Sequence, residues 1–318
     1  FSLYQLPMSK FNAEPMTGLT ALSVSGAGLA ADALELPDAE LSELNLSGNK
    51  LTSFPFAAKY TKLSTLNLSH NGFTAFDASK VPSLSCLYLN NNSLTEVKFN
   101  NPGIWDLHLG GNRLESVDLN GLPSLDQLIL TSNLLESIDL QPVKSTLRAL
   151  SIVGNRFTFA TLPRTEDAPR LTTLYYGLQA RLDVKCTDGK VDLSSQASVG
   201  DTPTVYTWFL GEAVLDTESG AYLGEELIEG NEYTVENGVT SFLTTFPEKV
   251  MCVMSNEAYP NLLLTTERLT VDSAGIEEVS ADACASAPTG CFDLQGRRVD
   301  NPQKGGIYII NGRKVYIR

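Results

Sequence analysis

From Leu19 onward, apolar and variable positions recur in one repeated figure. The units read LTALSVSGAGL from Leu19, LSELNLSGNKL from Leu41, LSTLNLSHNGF from Leu63 and LSCLYLNNNSL from Leu84. IWDLHLGGNRL from Ile104, LDQLILTSNLL from Leu125, LRALSIVGNRF from Leu147 and a truncated LTTLYYG from Leu171 follow, and successive starts differ by 22, 22, 21, 20, 21, 22 and 24 residues. Within LxxLxLxxN the apolar positions alternate with period two, as in a short strand whose side chains point to opposite faces. One coil cannot bury its leucines alone. Stacked coils can, so the pattern predicts a parallel sheet over a continuous leucine core.

Each unit closes on an asparagine, namely Asn49, Asn71, Asn92, Asn112, Asn133 and Asn155. Its amide sits where the chain leaves the sheet and can satisfy orphaned backbone groups, which predicts a structural ladder and not a binding site. Ala27 takes that position in the first unit, as suits a terminal coil, and residues 1–18 are expected to cap the N-terminal edge. The return segments, such as TSFPFAAKYTK and ESVDLNGLPS, are short and rich in Pro, Gly and Ser, which predicts 3₁₀ or irregular turns on the convex side. The motif and its spacing over residues 19–180 resemble the leucine-rich-repeat family, and the short units look like its bacterial, internalin-type branch. Internalins run from their repeats into an immunoglobulin-like domain, and the analogous join here would be YYGLQAR, Tyr175 to Arg181. No LPxTG wall anchor follows, so the internalin mode of attachment is not implied.

After Arg181 the pattern changes to short strand-like runs divided by turn residues, including KVDLSSQ, TVYTWFLGE, EYTVENGVTSFLTTF and VMCVMSN. With Asn237–Gly238 as a hairpin signal, residues 181–271 read as a β-sandwich. The module resembles an immunoglobulin-like sandwich: Trp208 falls where the core tryptophan would be, and Cys252 lies in the later central strand. Leu193 occupies the matching position on the opposite strand and Cys186 lies one strand earlier, so apolar packing is expected in place of an inter-sheet disulfide. Residues 272–283 are polar and small, and read as a linker. Residues 284–318 contain CFDLQGRRV and GGIYIINGRKVYIR, β patterns with an Asn311–Gly312 turn, and predict a small C-terminal sheet. These last runs are similar to the C-terminal tails of secreted Bacteroides-type proteins, where related segments act as sorting signals. Asp272-Ser273-Ala274 matches the short acceptor pattern for O-glycans in those bacteria.

Charge narrows the partners. The chain of 318 residues carries a net charge of −14, which supplies no basic footprint for nucleic acid or an anionic membrane. No apolar run reaches the roughly 18–20 residues of a spanning helix, so no membrane insertion is expected. The chain begins at Phe1 without a leader, which fits an exported protein whose signal peptide has been removed, at the cell surface or outside it. Five cysteines with no CxxC pair and only two histidines point to no metal and no cofactor. The odd count leaves at least one thiol free in a monomer, the expected state. Cys284 and Cys291 allow either a small loop disulfide or two separate thiols.

The chemistry-bearing residues sit at the variable strand positions. Ala21, Ser23, Glu43 and Asn45 in the first two units are small or singly polar, whereas units three to six bring together Asn67, Tyr88, Asp106, His108, Gln127 and Ile129, with Trp105 near the rim. Aromatic surface flanked by hydrogen-bonding groups suits a protein or a glycan, so the concave face is the expected ligand site of a binding protein. Participation of a protonated His108 would make such binding weaken as pH rises. A structural spacer on the cell surface is the alternative. Cys86, Asp106 and His108 raise a third reading, a hydrolase, but an open sheet supplies neither water exclusion nor an oxyanion site, and no catalytic fingerprint is present. The chain therefore reads as a non-enzyme.

Overall fold

The computed structural model describes residues 1–57, 59–164, 166–271, 277–279, 290–310 and 313–317. The chain divides into two compact units, Phe1–Ala180 and Arg181–Arg318. Among the described residues, no helix is long and apolar enough to cross a membrane.

The first unit is a parallel β-solenoid. Its sheet has nine strands, one from each repeat and one from Ser2–Tyr4, which pairs in parallel with Ala21–Ser25. Residues 1–18 therefore do more than cover an edge: they add a coil, with Phe11–Asn12 pairing in parallel with Leu34–Glu35 on the return side. The middle strands are three residues each, Thr65–Asn67, Cys86–Tyr88, Asp106–His108 and Gln127–Ile129. They run in strict register, with Leu66, Leu87, Leu107 and Leu128 aligned. All four leucines have no exposed surface, and burying each contributes about 1.5–3 kcal/mol.

The asparagines form the predicted ladder. Asn133 is typical: Oδ1 accepts from Leu114 N of the preceding coil at 3.0 Å, while Nδ2 donates to Leu109 O of that coil at 3.0 Å and to its own Leu130 O at 3.1 Å. In the last coil Gln179 takes over, accepting from Phe157 N at 3.0 Å and donating to Ile152 O at 3.0 Å. The return side contains short 3₁₀ turns at Ala31–Ala33, Ala78–Lys80 and Gln141–Val143. It also contains strands that the sequence reading omits, Ala75–Asp77 paired in parallel with Glu96–Lys98. Three residues are enough for a ladder here because the neighbouring coil holds its backbone at pairing distance.

The second unit holds two antiparallel four-stranded sheets. In strand order, one contains Cys186–Thr187, Lys190–Asp192, Val239–Phe242 and Tyr233–Glu236; the other contains Tyr222–Glu226, Val205–Leu215, Val250–Ser255 and Leu263–Thr265. Trp208 is fully buried between them, donating from Nε1 to Thr240 Oγ1 at 3.1 Å and meeting Phe242 edge-on with centroids 4.9 Å apart. Its register neighbour is Cys252. Cys186 and Cys252 both keep their thiols, and burial pushes the Cys252 thiol far up. Asn237 and Gly238 sit at φ 48° and 78°, the left-handed pair of a two-residue hairpin turn.

A third sheet lines up Glu277–Val279, Arg313–Ile317, Ile307–Ile310 and Cys291–Phe292. Glu277–Val279 falls inside the segment read as a linker; it pairs in parallel with Val315–Ile317, using an edge that the terminal hairpin leaves open. Cys291 packs with Ile310, Val315 and Ile317 and is disulfide-bonded. Cys284, the glycan-acceptor pattern Asp272-Ser273-Ala274 and the Asn311–Gly312 turn lie outside the described residues.

Candidate functional site

The variable positions of each strand project from the face opposite the leucines. Register places Asn67, Tyr88, His108 and Ile129 in one row across four adjoining strands, and Thr65, Cys86, Asp106 and Gln127 in the next. Neighbouring strands lie about 4.8 Å apart, so side chains in a row touch.

Asp106 organises the centre. Although it occupies a solvent-face position, it is only 7% exposed, because Tyr88 and His108 close over it. Tyr88 donates its hydroxyl to Oδ2 at 2.7 Å, and His108 Nε2 stands 3.0 Å from Oδ1. That second contact lacks hydrogen-bond alignment and, among the described residues, leaves Oδ1 buried without a donor. The two rings meet edge-on at 4.8 Å, and Gln127 Nε2 lies 3.2 Å from His108 Nε2. These contacts place opposite demands on Nε2. A bare Nε2 accepting from Gln127 would face the carboxylate with a lone pair, whereas Nε2–H faces it favourably and meets Gln127 best through the amide oxygen. The carboxylate favours the second arrangement.

The same carboxylate bears on Cys86. Burial first, and then the charge of Asp106, push the Cys86 thiol up, while hydrogen bonds from Tyr88 and Thr65 act in the other direction. A nucleophilic cysteine needs the reverse, a cation or helix terminus that favours thiolate. Among the described residues no contact joins Cys86 to His108, whose ring instead faces Asp106 and Gln127. Burial and Asp106 also push the Tyr88 phenol far above its ordinary range, so its hydroxyl remains a donor. Nor does any group of three or more His, Cys, Asp or Glu among the described residues have the geometry to hold a metal ion.

The other sequence-predicted residues take different places. Trp105 stands just before its strand, 46% exposed, and holds the sheet through its main chain, donating to Ser85 O and accepting from Gln127 N. Ile129 is half-buried beside His108. Asn67 belongs to a hollow of about 440 Å³ on the same face, whose lining also includes Phe1, Ser23, Asn45, Thr65 and Tyr88. A second, more polar hollow of about 440 Å³ follows the strand ends. There His70 Nε2 and Asn91 Nδ2 stand 3.2 Å apart, at φ 56° and 54°, where other coils use Gly48, Gly111 or Gly154. His70 escaped the sequence reading; the signal was a bulky residue at a position that otherwise favours glycine.

A family model described as Leucine Rich Repeat matches residues 40–58. No curated protein matches the chain. Among solved structures, an internalin-like protein of Listeria monocytogenes, lmo2027, is 16% identical over 85% of this chain and 87% of its own, with a TM-score of 0.52. The functional domain of InlJ from the same organism is 17% identical over 84% of this chain, with a TM-score of 0.47, and this chain spans 66% of it. The leucine-rich-repeat domain of APL1B is 23% identical over 52% of this chain and 49% of its own, with a TM-score of 0.41. At these identities the likeness is one of fold: a leucine-rich-repeat scaffold of the architecture found in an internalin-like protein.

Proposed function

We propose that this chain is an exported binding protein, secreted or displayed at the cell surface, that recognises a protein or glycan through the open face of its repeat sheet. The carrying observation is the Tyr88–Asp106–His108–Gln127 network on a face otherwise free to be bland. Burying a carboxylate there is costly unless it is paired, and one of its oxygens still lacks a donor among the described residues. Asn67, Trp105 and Ile129 extend the surface on either side. The disulfide at Cys291 supports an oxidising, extracytoplasmic location. In the division we favour, residues 1–18 open the solenoid, 19–180 carry recognition, 181–271 form an immunoglobulin-like sandwich and 284–318 form a surface-delivery tail after the segment 272–283. Two antiparallel sheets closed over Trp208 support the sandwich; the tail rests on its resemblance to Bacteroides-type segments. The raised Cys86 thiol argues against hydrolysis.

The test is binding of the full chain to panels of purified extracellular proteins and glycans, followed by the Tyr88→Ala, His108→Ala double variant. At least a tenfold loss of affinity with an unchanged melting temperature is expected. Unaltered affinity would move recognition to the loops of the second unit. A charge-swapped sheet face that leaves attachment intact would favour a spacer.

A further inference from the structure

We infer that the hollow beside the Tyr88 network is a saccharide subsite, which takes a neutral sugar through paired amide donors and an aromatic wall. The inference rests on the binding role proposed above and specifies its ligand class. Asn45 and Asn67 are register neighbours on adjoining strands. Each commits its Oδ1 to a backbone N–H two residues on, Ser47 and Ser69 respectively, at 3.0 Å. That bond fixes the amide plane. Among the described residues, neither Nδ2 has a protein acceptor, so two oriented donors stand side by side on the sheet face. Glu43, exposed and on the same face one alternation back along the strand, adds an acceptor with no ion-pair partner among the described residues.

The surroundings choose among ligands. Thr65 and Ser23 leave a space of about 440 Å³, within the roughly 300–1,000 Å³ that small-molecule sites occupy. Tyr88 walls one side; its hydroxyl is held by Asp106, so what it offers the hollow is its ring. Among the described residues no Lys, Arg or His lines the hollow, and the chain carries a net charge of −14, which disfavours an anion. A purely apolar ligand would desolvate two amide donors and return no hydrogen bond, at a cost in affinity. An extended peptide alternates donors and acceptors along its edge, which does not match two adjacent donors. Neighbouring sugar hydroxyl oxygens do match them, a further hydroxyl can donate to Glu43, and the C–H face of the ring can lie against an aromatic side chain.

The experiment is a glycan array probed with the full chain, carrying neutral, sialylated and sulfated oligosaccharides, with hits measured by calorimetry. Neutral glycans are the expected hits. The double variant Asn45→Asp, Asn67→Asp keeps both Oδ1 acceptors for Ser47 and Ser69 but replaces the free donors with acceptors. It should lose at least tenfold in affinity at unchanged melting temperature, and Ser23→Trp, which fills the hollow, should do the same. Binding confined to anionic glycans or to proteins, or neutral-glycan binding that survives both sets of substitutions, overturns the subsite. If it survives them but is lost in Tyr88→Ala, His108→Ala, the sheet-face reading stands and the hollow falls; if it survives all of them, both fall.

Discussion

The two units of this protein solve the same problem, burying apolar strands, by opposite routes. In the solenoid the contacts that stack the coils are made with the coil before or after, and the inter-coil ladder bonds of Asn133 span 19 and 24 residues. In the second unit the decisive contacts are distant: Trp208 bonds Thr240 across 32 residues, and Asn256 reaches Thr202 across 54. A repeated local solution tolerates damage in one coil, because its neighbours still pair with coils beyond. A non-local sheet pair has no such redundancy, and its strands order together or not at all. The difference also decides what the sequence can reveal, since a repeated contact appears as a period and a singular one does not.

The sharpest way to break this comparison is Trp208→Ala. It removes a fully buried aromatic and leaves the Thr240 hydroxyl without its partner, so the cost should be about 3–5 kcal/mol. Calorimetry should show the transition of the second unit falling while that of the repeats stays in place. A parallel fall of both would show that the units unfold as one. Leu107→Ala, at about 2–5 kcal/mol, makes the reciprocal case. Because Leu107 is fully buried at the middle of the nine-stranded sheet, its loss should broaden the solenoid transition, and a chelator should change neither protein. A sharp transition that merely shifts would mean the coils are more tightly coupled than nearest-neighbour stacking allows.

Asn133→Ala probes the polar half of the solenoid. It strands Leu114 N–H in the interior, while Leu109 O and Leu130 O lose one donor each but keep those of Asn112 Nδ2 at 2.8 Å and Asn155 Nδ2 at 2.9 Å. With about 1–3 kcal/mol for an unsatisfied buried group, a loss of about 1–3 kcal/mol is expected. Hydrogen exchange should quicken at Leu114 and its neighbours and remain slow two coils away. Gln179 serves the same purpose with a longer side chain, so Gln179→Ala should behave likewise at the end of the stack.

Those ladder residues mark the boundary of what was legible. The repeats and the asparagine ladder followed from spacing, because each position recurs six or more times and chance cannot mimic it. Gln179 was hidden by a truncated unit and a different residue type. The return-side strands Ala75–Asp77 and Glu96–Lys98 and the edge strand Glu277–Val279 were hidden because three residues carry no period; their pairing is imposed by what lies alongside. At the candidate site, the row of Asn67, Tyr88 and His108 followed from the register, but the burial of Asp106 did not. A solvent-face position was closed by the size of its two neighbours, a packing outcome that alternation cannot express. The hollow was missed for the converse reason: a search for large, reactive side chains passes over the place where small ones leave room.

The smallest expected effect tests the electrostatics of that packing and needs no ligand. Burial and the Asp106 carboxylate push the Cys86 thiol above its ordinary range, so at any given pH it presents less thiolate than a free cysteine. The thiolate is the species that alkylates. Labelling of Cys86 by iodoacetamide, followed by peptide mass spectrometry, should therefore lag behind a model thiol around pH 8–9 and accelerate only at higher pH. Cys252 has no exposed surface and should stay unlabelled in the folded chain, so it serves as an internal control. Asp106→Asn removes the charge and keeps the shape; the Cys86 profile should move to lower pH, with the burial contribution left in place. An unchanged profile in that variant would mean that the carboxylate does not act on the thiol, and that Asp106 is held at the sheet face only by its contacts with Tyr88 and His108.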